Sequence, residues 1–183
     1  YSGFQNLLWE NDGNGVFTDV TSQLPTLTDS SIHAAFGDVD GDDDLDIFVG
    51  NPGYYGTGEE NRLLINDGKG HFTFLPLPRI AQAAPGFGVS LTEVNGDGYA
   101  DLYMVQNFFA PQPETGHMDG GLSLLLLGNG TGDFHPVWPD RSGLVVPGDA
   151  KGLATMDLNG DGWVDFAITQ NDGPLVAFQN RGS

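Results

Sequence analysis

The stretch "DVDGDDDLD", Asp38–Asp46, places six aspartates in nine positions and runs directly into the apolar segment "IFVGN" at residues 47–51. Carboxylates this close repel one another at neutral pH, and the repulsion opposes compaction of the chain. The segment is therefore either an unfolded acidic tract or a loop whose charge is neutralised by something positive.

The composition favours a folded protein. The 183 residues include 25 acidic and 6 basic side chains, which gives a formal net charge of −19. Acidic chains are often disordered, but 39% of these residues are hydrophobic and 12 are Phe, which is enough to form a core. The shortage of Lys and Arg excludes nucleic acid as a natural partner, and no apolar run is long enough for membrane insertion. Because the chain has no cysteine, disulfides and thiolate metal sites are also excluded.

The acidic stretch occurs three times in the chain. "DVDGDDDLD" returns as "EVNGDGYAD", Glu93–Asp101, and as "DLNGDGWVD", Asp157–Asp165, and the starts lie 55 and 64 residues apart. A second motif keeps nearly the same period, as "NDGNGVF" (11–17), "NDGKGHF" (66–72) and "GNGTGDF" (128–134). Two motifs that share one period indicate a repeat array, a solenoid or a propeller.

Each repeat reads as four short strands, and the fold class is all-β. One strand enters the acidic loop, an apolar strand leaves it, and a hairpin follows whose Asn, Asp and Gly residues supply left-handed turn positions. Four antiparallel strands are the content of one propeller blade. We divide the chain into the second half of a blade (1–31), a full blade (32–86), a second full blade (87–150) and the first three strands of another (151–183).

This division gives about three blades, whereas closed propellers have about four to eight. The sequence therefore predicts an incomplete propeller or an open array of tandem blades. Unpaired strand edges invite pairing with another chain. We accordingly expect the strand near Leu175–Asn180, or the one near Phe4–Glu10, to pair with residues beyond this chain.

The loops have the ligand pattern of a calcium site. Oxygen-bearing side chains recur at loop positions 1, 3, 5 and 9, and glycine occupies position 6 in two of the three copies, Asp43 replacing it in the first. Residue types at position 7 differ so much that a backbone carbonyl is the expected ligand there. All-oxygen ligation with several carboxylates favours Ca²⁺ over Mg²⁺, and zinc would require His or Cys. The predicted ligands of the three Ca²⁺ ions are Asp38, Asp40, Asp42, Asp44 and Asp46; Glu93, Asn95, Asp97, Tyr99 and Asp101; and Asp157, Asn159, Asp161, Trp163 and Asp165.

The alternative interpretation is that the loops are merely solvated acidic turns. Three copies at one period argue against it. With three bound Ca²⁺ ions, much of the negative charge belongs to loop carboxylates that coordinate the ions. We expect the second loop, which contains Glu93 and Asn95, to be the weakest of the three sites.

These loops resemble the calcium loops of FG-GAP/VCBS repeats. The phrases "NDGNGVFTDVTSQLP" and "SGLVVPGDAKGLATMDLNGDGWVDFAITQNDGP" resemble more narrowly the cartilage acidic protein family, with its bacterial ASPIC/UnbV-type members. The resemblance covers nearly the whole chain. It implies a secreted or cell-surface β-propeller with one Ca²⁺ per blade, and adhesion or scaffolding rather than catalysis.

Catalytic motifs are weak in comparison. The four histidines, His33, His71, His117 and His135, share no spacing, and we interpret them as turn or surface residues rather than ligands. The sequence contains no G-x-S-x-G elbow and no phosphate-binding loop. A fragment of a propeller enzyme that acts on polysaccharide or phosphodiester stays open as an alternative, because a fold does not determine a function.

A candidate ligand site lies in the connections between the second and third strands of each blade. Tyr54, Tyr55, Phe108 and Phe109 are aromatic where loops are usually polar, which is typical of contact surfaces. The alternative is that these side chains fold back over neighbouring blades. The leading function is a non-enzymatic, calcium-stabilised extracellular module that binds a protein or carbohydrate partner. The runner-up is a structural subunit that other copies of the chain complete into an assembly or filament.

Overall fold

A computed structural model of the chain describes residues 4–51, 59–107 and 121–182. The described residues are organised in five antiparallel sheets, with two one-turn helices and a short 3₁₀ helix at Thr21–Gln23. The all-β prediction is confirmed. No helix in these ranges is long and apolar enough to cross a membrane.

Two complete four-stranded sheets form the centre of the molecule. In both, the strands follow one another in chain order and pair antiparallel with their neighbours. The first sheet contains β5 (His33–Gly37), β6 (Asp46–Gly50), β7 (Arg62–Asn66) and β8 (Phe72–Leu75), and the second contains β9 (Gly88–Thr92), β10 (Asp101–Val105), β11 (Leu124–Gly128) and β12 (Phe134–Val137). Every residue of β6 and β10 is buried, as expected of the apolar strand that leaves each acidic loop. Helices α1 (Arg79–Gln82) and α2 (Pro139–Ser142) follow the two sheets.

The remaining strands form three smaller sheets. Towards the C-terminus, β13 (Asp149–Met156), β14 (Asp165–Asn171) and β15 (Val176–Phe178) form a three-stranded sheet in chain order. Near the N-terminus, β2 (Trp9–Asn11) pairs with β3 (Phe17–Asp19) as a hairpin, and β1 (Phe4–Gln5) pairs with β4 (Thr28–Asp29). Strand β13 begins two residues before the predicted segment boundary at residue 151.

The first strands of three consecutive sheets, β5, β9 and β13, lie side by side. At this junction the backbone N–H of Val89 donates to Nδ1 of His33, at 3.1 Å. His33 is half-buried, and burial lowers the pKa of its imidazole. The interpretation of His33 as a turn or surface residue is therefore wrong: the ring accepts a hydrogen bond that joins two sheets.

Apolar side chains fill the spaces between successive sheets. The largest cluster joins the β5–β8 sheet to the β9–β12 sheet and includes Phe48, Leu63, Leu102 and Phe134. A second cluster joins the β9–β12 sheet to the β13–β15 sheet around Tyr103, with buried residues from both. The sheets therefore stack face to face as consecutive layers of one array.

A buried polar network lies at the sheet edge opposite the acidic loops. The Asn61 side chain accepts from the backbone N–H of Asn51 and donates to the carbonyls of Ala81 and Ala84, each at 2.7 Å. Asn51 in turn donates to Asp29, which also forms an ion pair with Arg62 at 3.2 Å. This network holds the connection after β6 against helix α1.

Candidate metal centre

Each acidic loop joins the first and second strands of its sheet. In an antiparallel sheet the connection between strands 1 and 2 and the hairpin between strands 3 and 4 lie at the same edge. The acidic loops therefore lie beside the Asn-Gly hairpins, whose predicted left-handed glycines are confirmed, for example at Gly68 and Gly70 with φ of 73° and 80°.

The carboxylate at position 1 closes each loop on itself. Asp38 accepts from the backbone N–H groups at positions 4 and 6, at 2.7 and 3.1 Å. Asp157 does the same at 2.7 and 2.8 Å, and Glu93 accepts from the equivalent Gly96 and Gly98. The longer glutamate thus reproduces the aspartate pattern in the second loop.

Position 5 and position 7 are connected in the same way in all three loops. The side-chain oxygen at position 5 accepts from the backbone N–H at position 7, at 2.9–3.0 Å; the pairs are Asp42 with Asp44, Asp97 with Tyr99, and Asp161 with Trp163. In the first two loops the position 7 side chain points to the hairpin of its own sheet, where a Cβ added to Gly68 would overlap Asp44 and one added to Gly130 would overlap the Tyr99 ring. In the third loop a Cβ added to Gly182, in the segment after β15, would overlap Trp163. These varied side chains therefore pack on neighbouring backbone, which is consistent with a backbone role for position 7 in the loop.

The backbone at position 6 is left-handed in every copy. Gly98 and Gly162 have φ of 90° and 89°, and Asp43 has φ of 70°. Aspartate tolerates this conformation better than most residues, although it is more strained there than glycine. The first loop therefore keeps the shape of the others despite the replaced glycine.

Position 3 distinguishes the first loop from the other two. Asn95 and Asn159 each donate from Nδ2 to the position 5 carboxylate, Asp97 or Asp161, at 2.9 Å. Asp40 has no proton to donate at neutral pH, and its Oδ1 is buried without a hydrogen-bond partner among the described residues. Burial raises the pKa of Asp40, and the nearby charges of Asp46 and Asp42 raise it further.

The first loop gathers three carboxylates around one point. Oxygens of Asp38, Asp40 and Asp42 lie within 4.8 Å of one another. Three like charges at this separation, one with an orphaned oxygen, fit a divalent cation bound between them. In the second and third loops the carboxamide at position 3 would have to turn its oxygen towards the ion.

Position 9 has a structural role that sequence reasoning missed. Asp46, Asp101 and Asp165 are all fully buried, at 0% exposure, and both oxygens of each accept a backbone hydrogen bond. One bond comes from position 2 of the same loop. The other comes from Asn66 and Gly128, which end the third strands β7 and β11, and from Asn180, two residues after β15. The carboxylate thus fastens the loop to the hairpin edge.

These two hydrogen bonds do not occupy all the acceptor positions of the carboxylate. A carboxylate has about four acceptor positions, so two N–H bonds leave room for a cation. Burial is the main cause that raises the pKa of Asp101 to about 6, against the lowering effect of its two N–H bonds. The negative charges of Asp97 and Glu93 add to the rise. A positive ion in the loop would offset the cost of burying the ionised carboxylate of Asp101.

The loops also contact the following sheet. The Val39 carbonyl, at position 2 of the first loop, accepts from Gly132 N–H in the next hairpin, at 2.8 Å. The equivalent Val94 carbonyl accepts from Asn180 Nδ2 at 2.7 Å. An ion that orders a loop would therefore also strengthen the contact between sheets.

Replacing Asp40 with asparagine should have opposite effects with and without calcium. In chelator, Asp40→Asn removes one like charge and supplies the amide donor found in the other loops, so the free energy of unfolding should rise by about 1 kcal/mol. In calcium, the loss of a charged ligand should weaken Ca²⁺ binding at the first loop, which reduces the stabilisation that the ion gives. Thermal melting in both conditions measures the two effects. Asp40→Ala is the control, and a lower melting temperature for Asp40→Asn in chelator would contradict this reading of position 3.

The predicted aromatic ligand site lies outside the described residues. Tyr54 and Tyr55 fall within 52–58, and Phe108 and Phe109 fall within 108–120. The fifteen predicted metal ligands, by contrast, are all described; carboxylate oxygens converge at Asp38, Asp40 and Asp42 of the first loop, and the described residues of the second and third loops form no comparable group of three carboxylates.

Comparison with known protein families gives one match. A family model for the FG-GAP-like repeat matches residues 4–49 and 50–104, more than half of the chain. The two matches end near the strands β6 and β10 that leave the first and second loops, and the structure shows the same loop a third time at 157–165. No curated protein matches the sequence significantly. With its repeated loop, hairpin and sheet, the chain belongs to the FG-GAP-like repeat family.

Proposed function

We propose that this chain is a calcium-stabilised repeat module that acts outside the cell or at its surface, in adhesion, ligand binding or scaffolding rather than catalysis. One Ca²⁺ would bind in each of the three loops. The observation that carries the proposal is the first loop, where the oxygens of Asp38, Asp40 and Asp42 converge and one buried oxygen of Asp40 has no partner.

The donor chemistry favours calcium over other ions. The loops offer carboxylates, carboxamides and backbone carbonyls, and they contain no His or Cys. Calcium accepts six to eight oxygens in irregular geometry, whereas magnesium requires a smaller octahedral shell and retains its waters. The bonds that position 1 and position 9 make to the loop backbone would preorganise the ligands before the ion arrives.

A binding role is supported by the arrangement of the sheets and by charge. The loops stiffen one edge of the array and leave the connections at the opposite edge to vary in length and sequence, which is where binding residues are usually placed. The net charge of −19 would remain strongly negative after three ions had bound. We therefore infer a protein or carbohydrate partner. The same proposal includes a closer relationship of this chain to calcium-binding VCBS proteins and to ASPIC/UnbV-type proteins.

Thermal melting in calcium, magnesium and chelator tests the proposal. An ion that binds only the folded state stabilises it by about 2.7 kcal/mol per site at a hundredfold excess over Kd, so calcium should raise the melting temperature well above the value in chelator. Magnesium should raise it less. An unchanged melt in excess chelator would show that the loops are solvated turns.

A matched pair of variants assigns the effect to a loop. Asp161→Ala should lose part of the calcium-dependent rise, because it removes the position 5 ligand of the third loop. Asp133→Ala removes the same charge from an exposed hairpin residue outside the loops and should keep the full rise. Equal losses in both variants would mean that calcium acts only by screening the net charge.

A further inference from the structure

His33 joins the two complete sheets through one hydrogen bond. The residue begins β5, and its Nδ1 accepts from the backbone N–H of Val89 in β9, at 3.1 Å. A neutral imidazole has one donor nitrogen and one acceptor nitrogen, so this bond places the proton of neutral His33 on Nε2. A protonated imidazole carries a proton on both nitrogens and accepts nothing. The bond between the sheets therefore exists only while His33 is neutral.

The N–H group of Val89 depends on this acceptor. Val89 is 3% exposed, and a buried N–H that loses its partner costs free energy comparable to a lost hydrogen bond. The backbone around it is tightly packed. A Cβ added to Gly50, which pairs with His33, would lie 2.9 Å from the Gly86 carbonyl and 3.4 Å from the Val89 side chain. This packing leaves little room for a water molecule to replace the imidazole.

The surroundings of His33 do not compensate a positive charge. Among the described residues no carboxylate forms an ion pair with His33, and burial lowers the pKa of its imidazole below the ordinary value of 6.5. Strands β5 and β9 contain no other titratable side chain, and the acid of β6, Asp46, lies at the far end of that strand. Arg62 of β7 and the uncharged residues 5–8 line the same cavity of about 310 Å³ as His33. Asp29 of β4 is already paired with Arg62.

The next junction has no room for such a link. His33 lies five residues before position 1 of the first loop, and glycine occupies this place before the other two loops, at Gly88 and Gly152. Where β9 meets β13, a Cβ added to Gly88 would lie 2.9 Å from the Lys151 carbonyl and 3.2 Å from Leu153, so an imidazole does not fit. Of these two described junctions, only the one between β5 and β9 contains a titratable link.

We propose that His33 is a pH-sensitive link between the β5–β8 and β9–β12 sheets, which holds them together while its imidazole is neutral and releases them when the imidazole is protonated. Because folding favours the neutral imidazole, the stabilisation is complete above the ordinary pKa of 6.5 and is lost progressively as the pH falls below that value. A mildly acidic environment would thus loosen the contact between the sheets. The link does not depend on the calcium proposal, because His33 lies outside the loops.

Thermal melting of the parent protein and two variants in chelator tests the link. At about pH 7.5, His33→Ala should melt about 3 °C below the parent protein, because Val89 loses its acceptor, and this gap should close or reverse at about pH 5, where the parent has lost the same bond. His33→Asn offers an uncharged acceptor oxygen close to the place of Nδ1 and does not titrate in this range. It should therefore melt above the parent protein at the lower pH.

The differences between these proteins isolate the effect of His33. Chelator removes the competition between protons and calcium for the loop carboxylates. Asp101, whose pKa is raised to about 6, titrates alike in the parent and in the variants, so it changes each curve equally. The control is His135→Ala, at an exposed histidine, which should follow the parent protein at both pH values.

Amide hydrogen exchange locates the effect in the parent protein. The protection factor of the Val89 amide should fall about tenfold between neutral and acidic pH, whereas the amides of β11, in the centre of the same sheet, should keep theirs. If His33→Ala does not fold, the comparison with His33→Asn and the exchange of Val89 decide the question. A gap to either variant that is the same at both pH values, or unchanged protection of Val89, would overturn the proposal.

Discussion

Replacing Asp101 with alanine should lower the free energy of unfolding by about 3 kcal/mol or more, because hydrogen bonds to a charged group contribute about 1.5–3 kcal/mol each and Asp101 accepts two. The side chain is fully buried and receives the backbone N–H groups of Val94 and Gly128, at 2.8 and 2.9 Å. Alanine would leave both donors buried without partners. Denaturant unfolding measures the loss.

Comparing the loss of stability in chelator with the loss in calcium separates two roles of the loop, attachment to β11 and ion binding. Asp101→Ala should be destabilising in chelator as well as in calcium, because the fastening of the loop to β11 needs no ion. Asp97→Ala, at the exposed position 5 of the same loop, should be nearly neutral in chelator and should reduce stability only in calcium. Asp101→Asn should also be destabilising, since its amide nitrogen cannot accept a hydrogen bond. A neutral Asp101→Ala in chelator would contradict the structural role of position 9.

Asn61 should be nearly as sensitive, at the opposite edge of the sheet. Its side chain is 2% exposed and satisfies the Asn51 N–H together with the carbonyls of Ala81 and Ala84. Asn61→Ala would orphan all three groups, and since an unsatisfied buried polar group costs about 1–3 kcal/mol we expect a loss of about 3 kcal/mol.

The control for Asn61 is an asparagine with little to lose. Asn14 is exposed in the β2–β3 hairpin, and Asn14→Ala should change stability by less than about 0.5 kcal/mol. Denaturant unfolding of both variants in calcium gives the comparison. If Asn61→Ala were as mild as Asn14→Ala, solvent would have to enter the network and replace the lost bonds.

The parts of the fold that the sequence predicted are those whose signal is local. The loop positions, the hairpin turns and the buried strands β6 and β10 each depend on residues within about ten positions of one another, and they repeat three times. The pattern could be recognised because it occurs in three copies, whereas a single acidic turn would have had no second copy for comparison. Both complete sheets have the predicted order of four strands.

The parts that sequence reasoning missed depend on contacts between distant residues. His33 accepts from Val89, 56 positions away, and Asn61 donates to Ala84, 23 positions away. The second bond of each position 9 aspartate, such as that of Asp46 to Asn66, likewise comes from another strand. No local pattern distinguishes a buried asparagine or histidine from a surface one, although the recurrence of aspartate at position 9 could have indicated its double role.

The first loop differs from the other two because its side chain at position 3 is a carboxylate rather than a carboxamide. An asparagine there donates to the position 5 carboxylate, whereas Asp40 leaves an orphaned oxygen. The sequence predicts the weakest site at the second loop, and the bond at position 3 does not separate that loop from the third, because Asn95 and Asn159 donate to the position 5 carboxylate in the same way. The third loop has the same asparagine but retains an aspartate at position 1.

Isothermal titration of the chelator-treated protein with calcium tests the central claim most directly, because it counts the ions. We expect three calcium equivalents, one for each loop, with the tightest site lost in Asp42→Ala and a weaker site lost in Asp97→Ala. Magnesium should bind more weakly at each site. A titration that gives no saturable calcium binding, or the same weak binding in both variants as in the parent protein, would contradict the claim that these loops are calcium centres.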